Sequence, residues 1–247
     1  MSVPMLEREL GMEVYASSAS GIGGKIREFP EDFAVEEVLA DGSKALISQG
    51  EDQTLTGGGR YLICVLVKRN WDTFLAVREV AKRLGIPSKR VQIAGIKDAH
   101  AVTAQHISIA HVGPKHVQQI RIRGIDLRPI RFSETPVFSR LLLGNRFNIR
   151  IGAISLEPST IDQQIKKVEV ELSSLGGAPN FFGHQRFGTI RPITHLVGRS
   201  IAQGDWKRAA IIYLAQSSPH ELGESREARQ QLQNSRNFRQ ALRDFPH

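Results

Sequence analysis

Ala94-Gly-Ile-Lys-Asp-Ala-His-Ala-Val-Thr-Ala-Gln105 is the stretch on which the reading of this chain turns. It lies between two apolar runs, Val91 to Ala94 and Gln105 to Ala110, and the second alternates Ile107 and Ile109 with polar neighbours, as a half-buried strand does. A strand on either side puts Asp98 on a loop over the end of a sheet, where a rigid scaffold often carries reactive side chains. An aspartate in such a loop also serves as a turn cap, with Lys97 then solvated. On residue chemistry alone both readings stand.

Working outward, Phe29-Pro-Glu-Asp-Phe-Ala-Val-Glu-Glu-Val38 alternates loosely about Phe33 and Val35 and favours a strand; Glu36 and Glu37 equally suit a plain edge-strand surface and are given no role. Tyr61 to Lys68 is a further strand, and Cys64 within it reads as a buried small hydrophobe that cannot form an internal disulfide. Residues 72–84 predict a helix capped by Asp72, with Phe74, Val77, Val80, Ala81 and Leu84 on one side and Gly85 as stop. Strands are expected at 91–95, 104–110, 120–123 and 146–151. Ile161, Ile165, Val168, Leu172 and Leu175 repeat at helical spacing before Gly176-Gly177. Beyond residue 190 only helices are expected, at about 193–203, 205–215 (Asp205 as cap), 219–232 and 235–244. Mixed elements followed by helices alone argue α+β with an appended helical region, joined near 189–192.

The 247 residues carry a net charge of +8, unevenly spread. Residues 31–59 carry −6, residues 60–151 carry +12 and residues 181–247 carry +5. Two basic segments suggest a polyanionic partner, although a solvated arginine-rich surface has the same composition. No apolar run approaches the roughly 18 residues of a membrane span, and no signal-peptide core is visible, so no membrane and a cytoplasmic location are expected. Gly21-Ile-Gly-Gly-Lys25 lacks the Ser or Thr of a phosphate loop, and one cysteine with scattered histidines builds no zinc site. Neither a nucleotide cofactor nor a metal is expected.

A second polar and aromatic run is Asn180-Phe-Phe-Gly-His-Gln-Arg-Phe-Gly188. Flat rings, amides and a cation suit an extruded nucleobase, which needs a face to stack on and partners for its edge. The same residues also suit an aromatic plug at a connection. His100 and His184, inside the two runs, read as turn or surface histidines rather than RNA contacts.

With both runs in order, about 80 residues apart, the chain resembles the tRNA pseudouridine synthase D (TruD) family. Gly95, Lys97, Asp98, Ala101, Thr103 and Gln105 match one family motif in register. Arg27 before Phe29-Pro-Glu-Asp-Phe33 matches another, in which a basic residue partners the catalytic aspartate. The resemblance implies a pseudouridine-synthase-like mixed or antiparallel sheet. Residues 1–190 would form the catalytic domain and residues 191–247 the start of a helical insertion.

It also implies isomerisation of uridine, at position 13 of tRNA, with no cofactor and with tRNA as the partner. Asp98 is the implied nucleophile, attacking C6 of the base or C1′ of the ribose, with Arg27 keeping it ionised and oriented. Phe182 is implied to stack on the uracil and Asn180 to hold the loop or the base edge. Lys97, Thr103, Gln105, Gln185 and Arg186 are the further implied substrate contacts, and a monomer is expected. Family members are longer, so the chain reads as a truncated form, with a catalytically incompetent RNA-binding fragment as the alternative.

Overall fold

The structure is a computed structural model that describes residues 3–48 and 55–246. Its residues fall into two compact units, Ile22–Leu156 on one side and Met1–Gly21 with Glu157–His247 on the other. Sequence character changes at 189–192, but the compact units part earlier, at Leu156. The helix that follows belongs with the C-terminal helices and with the N-terminal segment: Ser17 and Ser18 donate from their hydroxyls, and Ser18 also from its backbone, to the Glu171 carboxylate.

The unit Ile22–Leu156 is built on a mixed sheet. Its strands are β1 (Lys25–Ile26), β2 (Phe33–Leu39), β3 (Tyr61–Arg69), β4 (Val91–Ile93), β5 (Val102–Ala110), β6 (Ile125–Ser133), β7 (Leu142–Ile149) and β8 (Ile151–Gly152). The main sheet runs β6-β3-β5-β2-β7, with β4 added to β5 and a separate β1–β8 ribbon. β2 and β5 are parallel; the other pairs are antiparallel. Helix α2 (Thr73–Arg83) covers one face, its first turn closed by Asp72, which accepts from the Phe74 and Leu75 amides. Against it pack Leu62, Cys64 and Leu66 of β3, Ile107 and Ile109 of β5, and Leu127 of β6. Each such buried aliphatic contributes about 1.5–3 kcal/mol. Burial also pushes the Cys64 thiol up, leaving it unreactive.

Three expectations change here. Phe74, expected inside, is exposed, because α2 turns Ala76, Val77, Val80 and Ala81 to the sheet. The strand expected at 120–123 is absent: Ile120 and Ile122 alternate with Arg121 and Arg123 but pack from a turn against the α2 core. The strand instead runs from Ile125, and its register slips opposite Ile63 and Cys64, which pair with Arg131 and Pro129. A proline and a bulge suit a strand at the sheet edge, and they hid it from the alternation rule. The third correction concerns Glu37 and is taken up with the site.

The second unit holds α1 (Met5–Arg8), α4 (Pro158–Ser174), α5 (Thr194–Ala202), α6 (Trp206–Ala215), α7 (Gly223–Ser235) and α8 (Phe238–Asp244); α3 (Pro114–Gln118) belongs to the first. Asp205 caps α6 by accepting from the Arg208 amide, as expected. Ala215, Leu232 and Ala241 bring α6, α7 and α8 to one small core. Glu221, just before α7, takes ion pairs from Arg229 of α7 and from Arg191, which precedes α5. Among the described residues no helix is long and apolar enough to cross a membrane.

Candidate active site

Arg27 and Asp98 meet, although 71 residues separate them: Arg27 Nη2 donates to Asp98 Oδ1 at 2.7 Å. Two constraints deliver the arginine. Gly24, at φ +89°, lies so close to β8 that a Cβ would stand 2.7 Å from the Ile151 side chain. Arg27 itself has φ +59°, a left-handed conformation that costs a non-glycine residue about 1–2 kcal/mol and marks a position its surroundings hold. Its guanidinium carbon sits 3.7 Å from the centre of the Phe33 ring, a cation–π contact. His100 Nε2 lies 3.2 Å from the Arg27 carbonyl and Nδ1 3.1 Å from the Asn70 side chain, so this histidine braces the pair. The two partners' side chains are 36% and 37% exposed. An ion pair that open adds little stability. What it gives is an oriented carboxylate within reach of solvent.

Beneath Asp98 the loop is fixed from the interior. On one edge of β5, β2 pairs with residues 102–104 and β4 with residues 107–109. The gap between them leaves the His106 amide without a strand partner, and the Glu37 carboxylate accepts from it at 2.9 Å. The other Glu37 oxygen receives Lys97 Nζ at 2.6 Å, with both side chains almost fully buried. Glu37 is therefore no edge-strand surface residue: β2 lies between β5 and β7, and Glu37 occupies the same phase as buried Phe33, Val35 and Leu39. Burial alone would raise its pKa, but hydrogen bonds from His106 and Lys97 outweigh that and hold it below the usual carboxylate range.

Thr73 Oγ1 accepts from the Lys97 amide and donates to the Lys97 carbonyl, both at 3.1 Å. Gln105 Nε2 donates to the Gly95 carbonyl at 3.1 Å. Lys68, fully buried, donates from Nζ to the carbonyls of Asp98 (2.6 Å) and Trp71 (2.8 Å), with the Lys97 carbonyl at 3.4 Å. Lys97, Thr103 and Gln105 are all buried, behind the loop rather than on its outer surface.

Neither Glu37 nor Lys68 was singled out from the sequence, yet a signal was present. In Phe33-Ala-Val-Glu-Glu-Val-Leu39 and in Leu62-Ile-Cys-Val-Leu-Val-Lys68, each is the charged residue at the inward phase of an apolar alternation. A charge there must be paired or hydrogen-bonded, which is itself a prediction of a partner.

The remaining expected residues, Asn180, Phe182, Gln185 and Arg186, lie in the other unit. Phe181 and Phe182 are 82% and 65% exposed, and the Arg186 guanidinium lies 5.1 Å from the Phe182 ring centre. Asn180, Gln185 and Arg186 are exposed as well. The segment is pinned at His184, whose Nδ1 lies 2.7 Å from Glu7 Oε1 of α1 and whose amide donates to the same carboxylate. It is pinned again at Phe187, whose carbonyl accepts from the Thr194 amide and hydroxyl. Gly188, at φ +136°, closes the segment where a Cβ would stand 2.0 Å from the Arg191 carbonyl oxygen. The structure thus gathers Arg27, Lys97, Asp98, Thr103 and Gln105 in one unit and presents Asn180, Phe182, Gln185 and Arg186 on the other.

One unit thus carries an oriented carboxylate and the other an exposed aromatic segment, and comparison with known proteins adds a family. The model of the family "tRNA pseudouridine synthase D (TruD)" matches residues 9–247. A probable tRNA pseudouridine synthase D of Methanosarcina mazei is 36% identical over 246 residues, covering 100% of this chain and 53% of that protein. Its counterpart in Thermococcus onnurineus is 38% identical over 233 residues, covering 94% and 51%. A crystal structure provisionally assigned as the M. mazei TruD superimposes with a TM-score of 0.80 at 35% identity, covering 100% of this chain and 54% of that one. This chain belongs to the TruD family. It spans about half the length of the curated relatives it matches.

Proposed function

We propose that this chain carries the reacting carboxylate of a tRNA pseudouridine synthase that isomerises uridine, at position 13, to pseudouridine. The observation that carries this reading is the Arg27–Asp98 pair, held half-open over the sheet by a buried polar clamp. A carboxylate that must attack, release and attack again needs to stay ionised and keep its direction, and a guanidinium partner supplies both. Asp98 attacks the nucleoside at C6 of the base or C1′ of the ribose. The N1–C1′ bond breaks, the base turns while held, and C5 bonds to C1′; the C5 hydrogen leaves as N1 gains a proton.

Phe182 offers the ring on which the uracil stacks, with Arg186 on one face of it, and Asn180 and Gln185 meet the base edge or hold the loop. Lys97, Thr103 and Gln105 serve the substrate from behind the Asp98 loop, where all three are buried; Lys97 and Gln105 support that loop through their hydrogen bonds to Glu37 and to the Gly95 carbonyl. The +12 charge of residues 60–151 attracts the tRNA backbone, so binding should weaken with salt. Residues 1–190 act as the catalytic domain and residues 191–247 as the start of a helical insertion. The protein acts as a cytoplasmic monomer without a cofactor.

Tritium release from tRNA transcripts carrying 5-tritiated uridine tests the reading. Release by this chain that vanishes in Asp98→Ala supports it. Tight tRNA binding without release, indifferent to Asp98→Ala, would instead identify a catalytically incompetent RNA-binding fragment.

A further inference from the structure

Lys68 is the least expected residue of the first unit: a lysine with 0% exposure, in the strand phase otherwise filled by Leu62, Cys64 and Leu66. Lysine is almost never fully buried without a partner. Across the sheet it faces Thr103 of β5 and Ile125 of β6, neither of which titrates. The charged groups around it are Asp72 at the start of α2, and Asp98 and Lys97 on the loop. Its hydrogen-bond partners are none of these side chains but three backbone carbonyls, those of Trp71, Lys97 and Asp98. An ammonium has three donors, and three carbonyls use them all.

We propose that Lys68 is a positioning residue for the reaction, its ammonium drawing these carbonyls together and so fixing the peptide from which the Asp98 carboxylate projects. This deepens the synthase reading and rests on it.

The geometry holds Asp98 at both ends. Its carbonyl is 2.6 Å from Lys68 Nζ and its carboxylate 2.7 Å from Arg27 Nη2. The preceding residue is held as firmly, with the Lys97 amide and carbonyl on Thr73 and its side chain turned inward to Glu37. With Lys97 committed to the interior, the Asp98 carboxylate is left facing Arg27 and solvent. A nucleophile displaced by about 1 Å loses on the order of a hundredfold in rate, so this grip bears on the chemical step.

Burying the ammonium is costly: desolvation, only partly offset by Asp72 and Asp98, lowers the Lys68 pKa to about 8. A base whose pKa falls on folding does not stabilise the fold as a cation, and a hydrophobic residue of its length would fill the same space. What the hydrophobe cannot do is hold the carbonyls. As pH rises through about 8, the neutral amine keeps two donors for three acceptors and the grip loosens.

The test compares the wild-type chain, Lys68→Met and Asp98→Ala by single-turnover tritium release, by affinity for the same tRNA transcript, and by hydrogen–deuterium exchange. Lys68→Met should keep its tRNA Kd within about twofold while its rate falls about 10- to 100-fold. Its rate should also lack the wild-type decline above about pH 8, which a merely structural role would leave in place. Amides of residues 97–101 should exchange faster, with those of β3 and β5 unchanged.

An unaltered rate together with unaltered exchange overturns the proposal while the synthase reading stands. A rate loss matched by an equal loss of tRNA affinity overturns it too. If the wild-type chain releases no tritium at all, the synthase reading fails for this chain, and exchange at residues 97–101 alone decides on the Lys68 clamp. Should Lys68→Met not fold, the wild-type chain decides: exchange at 97–101, corrected for its intrinsic pH dependence, loosens above about pH 8 or overturns the proposal by staying flat.

Discussion

Around Asp98 the chain is gripped from the interior by Lys68, Thr73, Glu37 and Gln105, with Arg27 meeting the carboxylate at the surface. Around Phe182 the large side chains stand in solvent, and the backbone is pinned from its own surface layer by Glu7 and Thr194. The first arrangement buys precision of a single atom by burying charge. The second leaves rings and amides free to meet a ligand and sacrifices little stability. On the synthase reading Asp98 forms a covalent bond and tolerates little displacement, whereas Phe182 is a stacking face that works over a range of positions. The two regions are therefore expected to respond to mutation in opposite ways.

The largest effect should come from Asp98→Ala, which the synthase reading expects to reduce tritium release by at least about a thousandfold. Its tRNA affinity, measured by filter binding, should barely move; a large affinity loss would make Asp98 a binding residue and collapse the distinction. Next is the clamp itself. Glu37→Gln strands the buried Lys97 ammonium and should cost about 3–5 kcal/mol in a denaturant titration. The double variant Glu37→Leu with Lys97→Met should recover much of that loss, since it removes both charges.

Phe182→Ala sharpens the comparison from the other side. Removing a stacked ring costs about 1–3 kcal/mol of base binding, read as a fall in single-turnover rate. Thermal stability should stay within about 0.5 kcal/mol, as for an exposed residue. If stability fell as it should for Glu37→Gln, the segment would be a packed plug rather than an open face.

Acid titration should separate the regions further. Glu37 has a folded pKa below its ordinary value of 4.5, so its contribution is complete above that pH and is lost as pH falls from 4.5 through the lower folded value. The unfolding midpoint of Glu37→Gln should therefore converge on that of the wild-type chain in acid. Smallest of all should be Glu7→Gln, which weakens the half-buried contact to His184 by about 1 kcal/mol or less, measured by the same titration.

Much of this was legible in the residues. The caps Asp72 and Asp205, the buried strand around Cys64, and the helices from Pro158 onward follow from spacings of two to four residues. Asp98 and Arg27 were legible through motif resemblance, and the structure brings them into contact. Strand β6 was not, because Pro129 and the bulge beside it break the alternation by which a strand is recognised. Glu37 and Lys68 were visible as charges in an inward phase, but their partners were not.

Sequence by itself determined most of the local elements and the family, and it put Asp98 forward as the reacting carboxylate of the synthase reading, since each depends on residues close along the chain or on a motif read in register. Only the tertiary structure decided that β2 is an interior strand, that Glu37 fills a gap between β2 and β4, and that Lys68 gathers the carbonyls beneath Asp98. Strand order and the closing of a buried charge are settled by residues 29 to 69 positions apart. The free energy that selects them lies in desolvating those charges together, which no local pattern records.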